Sequence, residues 1–90
     1  MNGRGYTVRF APAAERDLKA LSPEIRRRLT PKIDALAEDP RPTGIEKMTG
    51  LDSAHRLRVG DYRIIYKIED RVLLVLVVRV GHRREIYRRL

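Results

Sequence analysis

Residues 72–80 read VLLVLVVRV, a nine-residue stretch in which only Arg79 is not apolar. A run this apolar and this rich in β-branched side chains has no face to offer to water. It is the pattern of a strand deep inside a sheet and covered on both faces. It is also far too short to cross a bilayer as a helix, which needs about 20 apolar residues. The rest of the chain must therefore supply neighbouring strands for this segment and a layer to cover it. With 90 residues and a hydrophobic fraction of 42%, there is material for one packed domain over residues 1–90. A chain of this length buries a modest share of its surface, so a partner that binds only the folded form would add to a small intrinsic stability.

The remaining elements follow from periodicity. Residues 6–10 alternate, with Tyr6, Val8 and Phe10 on one face and Thr7 and Arg9 on the other, as in a half-buried strand. Pro12 suits a first helical turn, and Ala14, Leu18 and Leu21 recur at helical spacing, which predicts a helix over 12–21. Ser22-Pro23 restarts the helix with a favoured N-cap, and Ile25, Leu29, Ile33 and Leu36 form its apolar stripe to about residue 38. Pro31 removes one hydrogen bond inside it and predicts a kink near Arg27 and Arg28 without loss of the helix. Asp39-Pro40-Arg41-Pro42 stops it, and 43–53 reads as a loop with room for a short strand. Strands are predicted over 55–59 and 62–68, joined at Gly60-Asp61 in a tight hairpin, and a second turn at Glu69-Asp70-Arg71 leads into the apolar run. Gly81 interrupts that run, and 85–90 reads as a short helix or a tail. The fold class expected is α+β in the order β-α-α-β-β-β. Two N-terminal helices should pack on one face of a mainly antiparallel four-stranded sheet and leave the other face open.

Charge narrows the function. The formal net charge is +8, which points to a polyanionic partner: nucleic acid, an acidic protein or an anionic surface. The surplus is concentrated late: residues 79–90 hold five arginines against a single acid, Glu85. There is no cysteine, which excludes disulfides, thiolate chemistry and Cys-based zinc sites. Two histidines, His55 and His82, together with Asp52, Asp61, Glu69, Asp70 and Glu85 show no metal-ligand spacing. No glycine-rich phosphate loop and no recognition helix for duplex DNA is present. Residues 1–6 are polar and contain no apolar leader segment, so a cytoplasmic location without membrane contact is expected.

The candidate chemistry lies in the second half. Arg56 and Arg58 are two apart on a strand and share the face opposite Leu57 and Val59. Arg63 follows the hairpin turn on the neighbouring strand. Arg79, Gly81 and Arg83 share the parity of Leu73, Val75 and Val77, and His82 and Tyr87 lie nearby. Guanidinium groups grasp phosphate oxygens in pairs and stay charged at every relevant pH. Metal-free RNA cleavage uses the ribose 2′-hydroxyl as nucleophile. It needs a proton acceptor, positive charge for the dianionic transition state, and a proton for the leaving 5′-oxygen. Arginines supply the second need well and the first badly. From the residues alone, a solvated basic face and a phosphate site both remain open readings.

The block Arg56-Leu57-Arg58-Val59-Gly60-Asp61-Tyr62-Arg63-Ile64-Ile65-Tyr66 resembles the middle hairpin of the RelE/ParE family of toxins from toxin–antitoxin pairs. The ending Val80-Gly81-His82-Arg83-Arg84-Glu85-Ile86-Tyr87 is similar to that family's C-terminal motif. Tyr6-Thr7-Val8-Arg9-Phe10, Ala14, Leu18 and Asp39-Pro40-Arg41-Pro42 extend the likeness over nearly the whole chain. The resemblance implies the fold derived above, a cognate antitoxin as partner, no cofactor, and one of two activities. In the RelE branch the toxin cuts messenger RNA in the ribosomal A site and leaves a cyclic phosphate. In the ParE branch it inhibits DNA gyrase by protein–protein binding. By motif, Arg56 and Arg58 fall where nuclease members carry basic residues, often lysine. Arg63 matches the arginine that stabilises the transition state, Arg83 a phosphate-binding arginine, Tyr87 a tyrosine that orients or stacks on substrate, and His82 a basic position with an acid–base role in some relatives. Arg79, Arg84 and Lys47 are the further cations expected to meet the RNA backbone. Arginine at 56 and 58 leaves the general base unassigned, because a crowded lysine can lose its proton near neutral pH and an arginine cannot. The expectation is a ribosome-dependent, metal-independent endoribonuclease toxin. A gyrase inhibitor and a non-catalytic RNA-binding module are the competing readings.

Overall fold

The computed structural model describes residues 5–49 and 54–88. The ends of the chain and residues 50–53, among them Asp52, lie outside this description. Strand β1 (Thr7–Phe10) leads into α1 (Pro12–Ala20) and α2 (Pro23–Ala35), followed by β2 (Glu46–Lys47), β3 (Ala54–Val59), β4 (Tyr62–Glu69) and β5 (Leu74–His82). One-turn 3-10 helices stand at Asp70–Val72 and Ile86–Arg88. Proline opens each α-helix, and at α2 the Ser22 side-chain oxygen accepts the Ile25 N–H at 3.3 Å. Helix α2 runs on through Pro31 and ends at Ala35, where residues 36–38 continue only as a turn.

The sheet has five strands in the order β1-β5-β4-β3-β2. The β1–β5 pair is parallel, and every other pair is antiparallel. The strand added to the expected four is β2, an edge of two residues that seats Glu46 opposite Arg56 and Lys47 opposite His55. On one face, Ala14, Leu29, Ile33 and Leu36 of the helical layer pack against Ile64, Tyr66, Ile68, Val75, Val77 and Val80. Tyr66 is fully buried, and its hydroxyl donates to the Pro40 carbonyl at 2.8 Å. The other face is only partly open. Ala54, Ile65 and Ile86 form a second buried cluster there, joined by Met48 and Val78.

The apolar run differs from its expected form in three ways. It becomes strand only at Leu74, after Leu73 turns the chain with a φ of 52°, and Val72 is 70% exposed. Gly81 does not end β5, which continues to His82. A β-bulge also interrupts the register: Tyr66 pairs with Val77 while Ile65 pairs with Arg79, so Val78 is the extra residue. The bulge overturns the parity expected from the sequence. Strict alternation would have carried Arg79 inward after Val75 and Val77, whereas one inserted residue brings Val80 into the core.

Candidate active site

The hairpin of β3 and β4 builds the floor of the site. Arg56 pairs with Ile65 across the ladder and Arg58 pairs directly with Arg63, so all four side chains share the face away from the helices. Like charges directly opposite one another cost stability in a sheet. Arg63 is held by its own turn, with Nη1 donating to the carbonyls of Gly60 and Tyr62 at 3.0 Å each. Gly60 makes that turn with a φ of 60°, a conformation that suits glycine.

The C-terminal segment forms the wall. After β5 the Arg83 N–H donates to the Asp61 carbonyl at 2.8 Å, and its guanidinium lies 3.4 Å from the Asp61 carboxylate. Ile86, 2% exposed, then inserts into the cluster on the open face. That anchor sets Tyr87 beside Arg56: Arg56 Nη1 donates to the Tyr87 hydroxyl at 2.9 Å, and its Cζ lies 5.6 Å from the ring centroid. The other arm of the Arg56 guanidinium pairs with Glu46, its cross-strand neighbour. The Glu46 hydrogen bond first, and the Tyr87 bond second, push the Arg56 pKa above its ordinary range.

The result is a cleft of about 680 Å³ lined by Arg56, Arg58, Arg63, Arg83, Arg84 and Tyr87, with Thr43, Gly44, Glu46 and Leu57 completing it. Six candidate residues from two separate stretches thus meet on one concave surface. Three others do not line it. His82 lies at the end of β5, its ring edge-on to Tyr62 at 5.5 Å, and its Nδ1 accepts the Arg84 N–H at 3.1 Å. In the neutral ring that bond leaves the proton on Nε2. Arg79 is committed elsewhere: Nε and Nη2 bind the Asp17 carboxylate at 2.8 and 3.0 Å, and the same carboxylate accepts the Val80 N–H at 3.0 Å. Lys47 shares the face of its partner His55, the opposite one from Glu46 and Arg56. Sequence reasoning passed over Glu46, because a two-residue edge strand carries no periodicity to reveal which face its side chains take.

Among the described residues, no group of three or more His, Cys, Asp or Glu is placed to hold a metal ion. Nor is any helix among them long and apolar enough to cross a membrane. What the cleft can do chemically is grip phosphates, stack an aromatic ring on a base, and neutralise negative charge that develops between its arginines.

A family model for the ParE toxin of type II toxin–antitoxin systems, parDE, matches residues 8–87. The chain is 38% identical over 85 residues to the toxin RelG of Mycobacterium tuberculosis, with 93% of this chain and 98% of that relative covered. It is 29% identical over 86 residues to the mRNA interferase toxin RelE of Escherichia coli, with 91% and 90% covered. Among solved structures, the RelBE2 toxin–antitoxin complex of M. tuberculosis matches with a TM-score of 0.79 at 34% identity, over 90% of this chain and 94% of that one. The isolated E. coli RelE toxin matches with a TM-score of 0.75 at 26% identity, over 93% of each chain. With a family model spanning most of its length and a near-full-length relative above a third identical, this chain belongs to the RelE/ParE family of toxins from type II toxin–antitoxin systems.

Proposed function

We propose that the protein is an endoribonuclease that cuts messenger RNA in the ribosomal A site without a metal ion and so stops translation. The observation that carries this reading is the convergence of Arg56, Arg58, Arg63, Arg83, Arg84 and Tyr87 on one cleft. Its similarity to a relative named an mRNA interferase supports the same reading. The ribose 2′-hydroxyl attacks the adjacent phosphorus, the bond to the 5′-oxygen breaks, and the products carry a 2′,3′-cyclic phosphate and a 5′-hydroxyl. Arg63, fixed by two carbonyls, and Arg83, fixed to the hairpin turn, stabilise the charge on the pentacoordinate phosphorus. Arg56, Arg58 and Arg84 hold the flanking backbone, and Tyr87 orients the nucleotide.

The partners of this reading are the ribosome, the message and a cognate antitoxin. Several matched structures are toxin–antitoxin complexes, which supports the last of these. An antitoxin could silence the toxin by covering the cleft or by lifting the segment that Ile86 anchors. The family model that matches is described as the ParE toxin, which keeps a gyrase inhibitor as the second reading.

One experiment separates them. Purified protein is added to a reconstituted translation system, the 3′ ends of the message are mapped, and gyrase supercoiling is followed in parallel. Cleavage on the ribosome is expected, with gyrase untouched. Arg63→Ala and Arg83→Ala should each lower cleavage by about 100-fold or more while melting as folded proteins and relieving growth arrest. Wild-type rates in both variants, or gyrase inhibition at the dose that arrests growth, refute the nuclease.

A further inference from the structure

Among the described residues, Asp17 is the charged side chain that folding buries, 7% exposed, and it does not line the cleft. Strand β1 stops at Phe10 opposite Val77, where the Ala11 N–H donates to the Val77 carbonyl at 2.9 Å. Beyond that point the flank of β5 turned away from β4 faces no strand. The Asp17 carboxylate, carried there by α1, stands in for one. Its Oδ2 accepts the Val80 N–H at 3.0 Å and Arg79 Nε–H at 2.8 Å, and its Oδ1 accepts from Arg79 Nη2 at 3.0 Å. These three bonds close on the two residues that directly follow the extra Val78.

We propose that Asp17 is a positioning residue for the cleft: by clamping the bulge at Val78 it fixes the register in which β5 delivers Arg83 and Tyr87. The inference rests on the nuclease reading above and deepens it. The bulge interrupts the ladder, and an uninterrupted ladder is open to the same sequence. In that ladder Val78 pairs with Ile65, Arg79 replaces Val80 opposite Ile64, and Val80 replaces Gly81 opposite Arg63. Gly81 lies under Ile86, with 3.5 Å between the Ile86 Cβ and the place a Cβ at 81 would take. A valine in that place reaches further and pushes Ile86 out, and Tyr87 leaves with it. Arg83 meanwhile shifts by one residue, about 3.3 Å along the strand. Misplacement of about 1 Å already costs a catalytic site roughly 100-fold. Asp17 opposes the slip because strand N–H groups alternate in direction. Val80 turns its N–H to the open flank only while it stands opposite Ile64, so the three bonds form together only in the bulged register.

The same alternation gives a spectroscopic mark of the register. Val80 donates to Asp17 and not to β4, so Val80 and Ile64 form a pair without ladder bonds, the close kind with Cα atoms about 4.5 Å apart. Their α-protons are near enough for a strong nuclear Overhauser contact. The slipped ladder moves that contact to Ile64 and Arg79. Deleting Val78 supplies the opposite control. With the extra residue gone, Arg79 still meets Ile65 and Val80 still meets Ile64, now in an unbroken ladder that needs no clamp.

The test compares four forms of the full-length protein: wild type, Asp17→Ala, the Val78 deletion, and the two changes together. On programmed ribosomes, Asp17→Ala should lower single-turnover cleavage at saturating toxin by about 100-fold. Its Ile64–Val80 contact should weaken as one between Ile64 and Arg79 appears. Deleting Val78 from that variant should bring cleavage back to within about tenfold of the deletion alone. A wild-type rate in Asp17→Ala overturns the proposal. So does a lost rate with the Ile64–Val80 contact intact, or a deletion that cleaves by itself yet leaves the double variant as slow as Asp17→Ala. Should Asp17→Ala fail to fold, Asp17→Asn keeps the shape, loses the charge that holds Arg79, and carries the same two readouts. Should the deletion fail to fold or to cleave, the α-proton contacts of the substituted variant decide. If wild type itself leaves the message intact, the nuclease reading fails, and those contacts still show whether Asp17 sets the register.

Discussion

Arg58 and Arg63 face each other in a register that favours opposite charges or a β-branched pair. Arg63 gains two carbonyl bonds in its own turn, and on the nuclease reading proposed above a polyanion bound between the two guanidinium groups would offset their repulsion. This makes the pair the clearest single trace of function in the chain, and it is legible in the sequence: the two-residue period of a strand and the Gly60-Asp61 turn predict that both lie on the exposed face. Arg58→Thr should therefore raise stability while damaging function. In urea the midpoint should move up by the equivalent of about 0.5 kcal/mol. RNA affinity should fall, and its dependence on salt should weaken by about one ion released per site. A destabilised variant, or one whose salt dependence matches wild type, would place the repulsion elsewhere. Glu46 escaped the same logic because its face is set by pairing with a strand ten residues further on, and nothing local encodes that edge.

At the scale of elements, the legible parts were those with internal repetition. The first helix, the first strand and the central hairpin follow from their apolar spacing to within a residue, and the second helix to within about three, since residues 36–38 are a turn. The parts that escaped are those made by a single insertion or a single contact. The bulge at Val78 shifts one residue, so that Val80 rather than Arg79 follows Val77 into the core, and Arg79 is held by Asp17 at the edge of the helical layer. The C-terminal turn spans only Ile86–Arg88, too short to show a helical period, and reads equally as a tail. Yet it completes the cleft, and Ile86 alone buries it. Ile86→Ala should remove about 2–4 kcal/mol of local packing. That loss should fall on the turn before the sheet, because the main core lies on the other face. Hydrogen exchange should show the amides of Glu85 and Arg88, bonded to His82 and Glu85 carbonyls, losing protection while those of β4 keep theirs. Cleavage should fall with the loss of Tyr87. Uniform loss of protection across the sheet would mean that the turn is part of the global folding unit.

Across the whole molecule, the most distant closure is that of β1, which pairs in parallel with a strand more than sixty residues later. Its entry is held by three groups from three places: the Tyr6 hydroxyl donates to Asp70 at 2.6 Å, and Arg41 binds both oxygens of the same carboxylate at 3.1 and 2.9 Å. The turn before β5 is thereby tied to the N-terminal strand and to the segment after α2. Hydrogen bonds from Arg41 and then from Tyr6 draw the Asp70 pKa from the usual 3.8 down to about 2. A carboxyl group depressed in the folded state stabilises it above the unfolded value, and that contribution disappears as pH falls from about 4 through 2. The site is exposed, so salt should weaken the effect. Acid also raises the net charge of an already basic chain, which loosens every variant alike, so the informative quantity is a difference. Wild type should melt above Asp70→Asn at pH 6 in low salt, and the gap should close as pH is lowered from about 4 to 2. A gap that stays constant through that range would show that Asp70 acts by shape rather than charge. A gap that widens would reverse the sign and mean that the neutral acid is the form this closure prefers.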